Sequence, residues 1–196
     1  TGALERPLIF NNNDRPGIML SSAVNKYADF YGGGCGQKTV FFTNNDSAYE
    51  SAFCLHNKGI KVEAIIDIRD NSNSKIVKAV EDAGIKIHWS HTVVDTSGYK
   101  RLKNISVMRL SNDGMSVTGN RIKISSDCLG ISGGWTPAVH LFTQSGGKLS
   151  FDEENKIFLP NKYPSEQISI GSCNGDFEIS EIIKSLSKNL KEFLKI

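Results

Sequence analysis

No stretch of this 196-residue chain approaches the run of roughly 18–20 apolar residues that a membrane span needs. Its first residues also lack the apolar core of a secretory leader. Cysteine is scarce. The four present, Cys35, Cys54, Cys128 and Cys173, make no CxxC pair and have no histidine at metal-ligand spacing. That speaks against a secreted disulfide scaffold and makes a reducing, cytoplasmic compartment the expectation. Cys54, inside the apolar stretch Ala52-Phe53-Cys54-Leu55, reads as a buried helix position. A surplus of one charge is missing as well. Lys and Arg total 23 against 21 Asp and Glu, a formal net charge of +2, which excludes a strongly basic nucleic-acid binder and an acidic tail protein. Catalytic signatures are absent: no GxSxG, no HExxH, no Walker-type lysine. His56, His88, His91 and His140 share no metal-like spacing with an acid, and Glu153 and Glu154 read as a solvated loop pair. No catalytic residue and no metal ligand is assigned. The initiating Met is missing too. Thr1-Gly2-Ala3 reads as the start of an excised segment or of a processed chain.

What remains is an ordinary globular composition, 39% hydrophobic and 22% charged. Leu8-Ile9-Phe10 reads as a short strand and Asn11 to Gly17 as a turn. Residues 18–31 read as a helix capped by Ser21 or Ser22 and stopped by Gly32-Gly33-Gly34. The β-branched and aromatic run Lys38 to Thr43 predicts a buried strand, Ala48 to Lys58 a helix closed by Gly59, and Val62 to Ile68 a second strand. Ser74 caps a helix over Lys75 to Ala83, closed by Gly84, and Ile85 to Trp89 is a third strand. This alternation predicts a parallel sheet with right-handed crossovers. The pattern then changes to short alternating segments, Thr92–Thr96, Ile105–Leu110 and Arg121–Ser125, an antiparallel meander. Cys128 to Ser132 is a further buried strand. Turns are read at Ser145-Gly146-Gly147 and Pro160-Asn161, a last strand at Ile168-Ser169-Ile170, and an amphipathic, lysine-rich helix over Phe177 to Leu194. The fold class is therefore α/β: a Rossmann-like, three-layer parallel sheet with an antiparallel meander, plus a C-terminal strand–turn–helix.

The first strand-to-helix turn of such a frame is where a dinucleotide phosphate sits, cradled by glycines at a helix N-terminus. Here it is Thr43-Asn44-Asn45-Asp46-Ser47-Ala48, without glycine. The β-carbons of Asn44 and Asn45 crowd a pyrophosphate and Asp46 adds a negative charge. Asp67, at the end of the second strand, stands where an acid holds a ribose diol, a preference for NAD over NADP if anything binds there, or it is a solvated strand-end carboxylate. Gly171-Ser172-Cys173-Asn174-Gly175-Asp176 is a second anion-holding candidate, with an ordinary connection as the alternative. Gly133-Gly134 permits close backbone approach, and Trp135 either packs on a flat ligand or anchors an interface.

Together these stretches resemble a known group. Thr43 to Ala52 resembles the second dinucleotide motif of thioredoxin-reductase-like flavoproteins, with Thr43, Asn44 and Asn45 in place of three glycines before Ser47-Ala48-Tyr49-Glu50. Thr1-Gly2-Ala3 and Ser132 to Pro137 resemble the two crossovers between their nucleotide domains, and Gly171 to Gly175 the turn that closes on the first domain's dinucleotide. More narrowly, Thr1 to Pro7, Asn13 to Gly17, Phe42 to Tyr49 and Gly133 to Phe142 resemble the α subunit of heterotetrameric sarcosine oxidase.

The resemblance implies an oxidoreductase complex that demethylates sarcosine to glycine, passing electrons from FAD to FMN to oxygen. Hydrogen peroxide forms, and the methyl group leaves as formaldehyde or methylene-tetrahydrofolate. It implies NAD in the full subunit, FAD and FMN in the full complex, and an oxidising site on the β subunit, the chief partner. Residues 15–137 then form the second, NAD(P)-binding-like domain, and 1–14 with 138–196 belong to the first. Thr1, Gly2, Ser172, Cys173, Asn174, Gly175 and Phe177 map to the edge of the NAD pocket. Asn44, Asn45 and Asp67 map to a degenerate second site. The 196 residues are expected to be a scaffold without a complete active site, with no nucleic-acid or membrane partner. Two alternatives stand beside this: an NAD-dependent reductase domain or the α subunit of a related amine or opine dehydrogenase, and a pure interaction module using Trp135 and the aromatic helix at 23–31.

Overall fold

The structure is a computed structural model that describes residues 1–164 and 167–194, the side chains of 187–194 excepted. In chain order its strands are β1 (Ala3–Glu5), β2 (Ile18–Leu20), β3 (Thr39–Thr43), β4 (Val62–Asp67), β5 (Ile87–His88), β6 (His91–Ser97), β7 (Asn104–Leu110), β8 (Val117–Ser125), β9 (Cys128–Ser132), β10 (Trp135–Pro137), β11 (Lys148–Asp152) and β12 (Ile157–Lys162). The helices are α1 (Ser21–Asp29), α2 (Ser47–Asn57), α3 (Lys75–Asp82), α4 (His140–Gln144) and α5 (Ile179–Leu194), with a 3₁₀ turn at Gly171–Asn174. The chain divides into two units, Arg6–Gly134, and Thr1–Glu5 with Trp135–Ile196.

In the larger unit five strands pair in the order β2-β9-β3-β4-β5, every pair parallel. All five residues of β3 and of β9 are buried, the continuous burial of strands covered on both faces. Their alternation sorts the core into two layers. Phe41, Ile65 and Cys128 join Val24, Tyr49, Leu55, Val77 and Val80 beneath the helices. Val40, Phe42, Ala64, Ile66, Leu129 and Ile131 pack against Val93, Ile105 and Val107 of the meander. The meander is the antiparallel sheet β6-β7-β8, so the unit is three layers: helices, parallel sheet, antiparallel sheet.

Several sequence expectations change. Ile18–Leu20, read as helix, is a strand paired with Leu129–Ile131, and α1 starts only at Ser21. No side chain caps that helix; Ser21 Oγ is buried without a partner. Leu8-Ile9-Phe10 is not a strand. Leu8 and Phe10 instead pack on the meander-side core, Phe10 edge-on to Phe42 with ring centroids 5.8 Å apart. That packing places residues 6–14 in the larger unit, whereas the sequence grouped them with 138–196. The expected strand at 85–89 shrinks to Ile87–His88. Cys54 is only partly buried, because Ala48, Ala52 and Leu55 take the inner face of α2.

In the other unit β1 pairs antiparallel with β10, and β11 with β12. Pro160, read as a turn, lies within β12 beside a register shift at Lys148/Leu149, the irregularity that admits a proline to a strand. Ile168–Ile170 is not a strand; Ile170 is extended but belongs to no ladder among the described residues. The lysine face expected of the last helix lies partly outside the described side chains. No helix of the described residues is long and apolar enough to cross a membrane.

Candidate functional site: a crevice closed by its own side chains

In an open parallel sheet, ligands bind beyond the C-terminal strand ends where neighbouring strands lead to opposite faces. Here those neighbours are β3, which runs into α2, and β9, which is reached through the meander. Thr43 and Ser132 are register partners at their ends. The sequence Asn45-Asp46-Ser47 folds an Asx turn at this point: Asn45 Oδ1 accepts from Ser47 N at 3.1 Å and Ser47 Oγ at 2.6 Å. This gives α2 its N-terminal partner, although Asp46 itself makes no capping bond. Asn45 Nδ2 reaches across the crevice to Ser132 O at 3.2 Å, Ser132 Oγ at 3.1 Å and Asn44 Oδ1 at 2.9 Å. Thr43 Oγ1 ties the same loop through Asn45 N at 3.0 Å and Asn45 O at 2.9 Å. The Asn45 amide therefore spans the place a pyrophosphate needs, with its own polar atoms already paired. Sequence reasoning expected the asparagine β-carbons to crowd the site. The structure adds that one asparagine bridges it.

Asp67 is fully buried, which overturns the picture of a solvated strand-end carboxylate. It accepts from Tyr49 Oη at 2.8 Å, from Arg69 N at 2.9 Å and from Arg69 Nη2 at 2.7 Å. Arg69 Nη1 also meets Asp46 Oδ1 at 2.8 Å. Both oxygens of Asp67 are thus engaged, and none is left to hold a ribose diol. Burial pushes the Tyr49 phenol up, and the Asp67 charge adds to it, so the phenol stays protonated. Burial opposes the charge on Arg69, but the hydrogen bonds and charges of Asp67 and then Asp46 raise its pKa above the usual value. The guanidinium lies 5.9 Å from the Tyr49 ring centre, and Trp89 stacks on Tyr49 at 6.1 Å. A sequence signal for this was present: an acid two residues before an arginine at the end of a buried strand. It was not weighed.

A cleft of about 540 Å³ opens beside this network, between Ile68, Arg69, Ser90, Arg109, Leu110 and Asn112. Asp70 and Ser111 also line it, and among the described residues no histidine, cysteine or lysine does. His88 and His91 meet edge-on at 5.5 Å, and burial first, then Lys86 and His91, holds the His88 pKa below its ordinary value. No group of three or more His, Cys, Asp or Glu among the described residues is placed to hold a metal ion.

Gly133 and Gly134 do permit close backbone approach, but to the chain itself. Gly133 N donates to Arg6 O at 2.7 Å and Arg6 N to Gly134 O at 2.8 Å. A Cβ at Gly133 would stand 3.1 Å from the carbonyl oxygens of Arg6 and Pro7. Trp135 is partly buried and pairs with Glu5 in the β1–β10 ladder.

The other predicted site residues fall in the second unit. Thr1 Oγ1 donates to Ala138 O at 2.8 Å, and Gly2 has φ +78°. Ser172, Cys173 and Asn174 form the 3₁₀ turn, and Gly175 closes it at φ +88°. Cys173 Sγ donates to Ile170 O at 3.3 Å, and Tyr163 Oη to Asn174 Oδ1 at 3.1 Å. Phe177 is exposed. The turn packs against β10, whose last residue lies one step before Ala138, so β10 adjoins both groups.

The comparisons with known proteins agree with this frame. The chain is 36% identical over 187 residues to the sarcosine oxidase subunit alpha of Corynebacterium sp. (strain P-1), covering 94% of this chain and 19% of that protein. It is 35% identical over 162 residues to the same-named subunit of Rhizobium meliloti (strain 1021), covering 81% of this chain and 15% of that one. The chain thus spans less than a fifth of the length of these relatives. No family model matches it. Among solved structures, the thioredoxin reductase of T. acidophilum superposes with a TM-score of 0.69 at 16% identity, over 99% of this chain and 62% of the other. Lactococcus lactis thioredoxin reductase gives 0.68 at 16% identity, over 100% and 63%. At that identity they establish the fold, a Rossmann-like dinucleotide-binding one. By sequence, the chain is homologous to one stretch of the sarcosine oxidase α subunit.

Proposed function

We propose that these residues serve as the nucleotide-type scaffold of a sarcosine oxidase α subunit, the part that carries the second, emptied dinucleotide frame. The observation that carries the reading is the Asn45 bridge between β3 and β9, in a chain 36% identical to that subunit. A frame that keeps the fold but fills its cradle fits a domain retained for architecture. The residues present do not fit a dinucleotide at this crevice. The complex would oxidise sarcosine to glycine with release of hydrogen peroxide, the methyl group leaving as formaldehyde or as methylene-tetrahydrofolate. FAD, FMN and the amine-binding centre would lie outside these residues, with the β subunit as chief partner and the cytoplasm as location.

NAD would belong to the other unit, which we read as part of the first dinucleotide-binding domain. Thr1, Gly2, Ser172, Cys173, Asn174, Gly175 and Phe177 would form one edge of its pocket, brought together along β10. Bound there, NAD would supply a pyridine nucleotide to the subunit. These residues would hold its edge and take no part in proton transfer. Tyr27, Phe30 and Tyr31, all exposed, with Tyr31 tilted against Tyr27 and edge-on to Phe30, support a contact with the rest of the assembly.

The test is sarcosine-dependent peroxide production by this chain alone. None is expected, and robust turnover would overturn the reading. Calorimetric titration with NAD, repeated on Asp67→Ala, separates the reductase alternative: micromolar binding lost in the variant would favour it.

A further inference from the structure

Two cysteines distant in sequence share one place in the larger unit. Cys35 stands, partly exposed, on the glycine-rich loop between α1 and β3, and Cys128 is the fully buried first residue of β9. Gly36, next to Cys35, lies so close to β9 that a β-carbon added to it would be 2.7 Å from Cβ of Cys128. Cys35 itself packs on the hydrophobic cluster that contains Cys128. Both thiols are free, and no disulfide joins them. Gly32 and Gly33 have nothing within 4 Å of where their β-carbons would stand, so the loop has room for the small shift a sulfur–sulfur bond requires.

We propose that Cys35 and Cys128 are a redox pair that closes to a reversible disulfide on exposure to a hydroperoxide, fastening the glycine loop to the first residue of β9. The proposal stands whether or not the oxidase reading holds. The geometry assigns the roles. Cys35 is the more exposed sulfur and the one a peroxide can reach, so it attacks first. With hydrogen peroxide, the Cys35 sulfur bonds to one oxygen, the O–O bond breaks, and a water leaves once protonated; Cys35 becomes a sulfenic acid. The Cys128 sulfur then attacks that sulfur, the S–S bond forms, and the hydroxyl leaves as a second water. Two thiols give up two electrons and two protons, and the peroxide takes them as two waters. Burial raises the pKa of Cys35 and pushes Cys128 up to about 12, which makes the closure slow at neutral pH.

The experiment treats the full chain with hydrogen peroxide, alkylates the remaining thiols and maps the peptides by mass spectrometry. A linked peptide joining Cys35 to Cys128 is expected, two hydrogens lighter and reversed by dithiothreitol, while Cys54 and Cys173 stay alkylated. Because a bond between residues 35 and 128 closes a long loop, the oxidised chain should melt higher by roughly 5 °C or more. In Cys128→Ser, Cys35 should be trapped as a sulfenic acid that dimedone labels at least several-fold more than in the native chain. If that variant fails to fold, Cys35→Ser serves instead, and its Cys128 should remain a thiol. The proposal is overturned if Cys35 and Cys128 both stay alkylated after oxidation, if Cys35 passes to sulfinic acid without a link, or if the links formed join other cysteines.

Discussion

The two units treat the places where a nucleotide phosphate would be sought in opposite ways. At the β3–β9 crevice the Thr43 hydroxyl and both side-chain atoms of the Asn45 amide are engaged. Asn45 spans the gap, and the Arg69 cation is shared between the carboxylates of Asp67 and Asp46 through contacts of 2.7 and 2.8 Å. At the turn Gly171–Asn174 the side-chain ties among the described residues are a thiol to a carbonyl at 3.3 Å and one phenol to Asn174 at 3.1 Å, on a segment whose residues are mostly part-exposed, and its backbone closes through Gly175 N to Ser172 O and Asp176 N to Gly171 O, each at 3.3 Å. A site that has satisfied itself gains little from a ligand, because each new hydrogen bond must replace an existing one. The 3₁₀ turn has fewer side-chain bonds to break, so a ligand there would displace less.

The strongest way to break this contrast is at Arg69. Arg69→Met removes the cation from the fully buried Asp67 and leaves the carboxylate with only Tyr49 and a backbone amide. Uncompensated burial of a charge dominates such losses, so we expect about 3 kcal/mol of destabilisation by urea denaturation. Asp46→Asn, at the exposed end of the same network, should cost well under half as much. Equal losses would mean that the network is not organised around the buried acid.

Asn45→Ala tests the bridge itself. It removes the links to Ser132 and Ser47 while sparing the core, and about 2 kcal/mol should be lost. The opened crevice should still not take up NAD in calorimetry, because Asn44 and Asp46 remain in place of a glycine cradle. Uptake would show that Asn45 alone closes the site.

Acid should separate the units in a graded way. The folded-state pKa of His88 lies below that of an unfolded histidine, so the unfolded chain binds the extra proton first. Stability contributed by the larger unit should fall as pH drops from near the ordinary histidine value of about 6.5 toward the lower folded value. His88→Gln should flatten that slope. In the smaller unit the depressed carboxyl is Asp152, held down by Asn155 first and then by the Glu154 backbone amide. Its contribution is present above the ordinary carboxyl value and is lost only as pH falls below it. Thermal scans from pH 8 to pH 3 on native and H88Q chains would show a first loss near neutrality in one and not in the other.

Local rules carried much of this molecule into view from its sequence. Thr39–Thr43 and Cys128–Ser132 are buried strands of β-branched and aliphatic residues, and Gly59 and Gly84 end their helices at φ +75° and +74°. Three-residue β2 was illegible because so short a segment has no period, and only its pairing with β9 makes it a strand. The crevice was half legible. The missing glycines announced a damaged cradle, but the bridge depends on Ser132, 87 residues away. Asp67 was misjudged because its partners, Tyr49 on a helix and Arg69 past the strand end, meet only in three dimensions.

The smallest expected effect is the most telling for the looser turn. Asn174→Ala gives up one exposed bond to Tyr163, and the cost in stability should stay below about 0.5 kcal/mol. If the turn holds a nucleotide edge, the same change in a complete α subunit should lower its retained NAD several-fold after gel filtration. An amide that matters little to folding and much to nucleotide content is the mark of a residue kept for binding. A loss of stability as large as that of Asn45→Ala, with NAD content unchanged, would instead make the two turns alike and remove the contrast between the units.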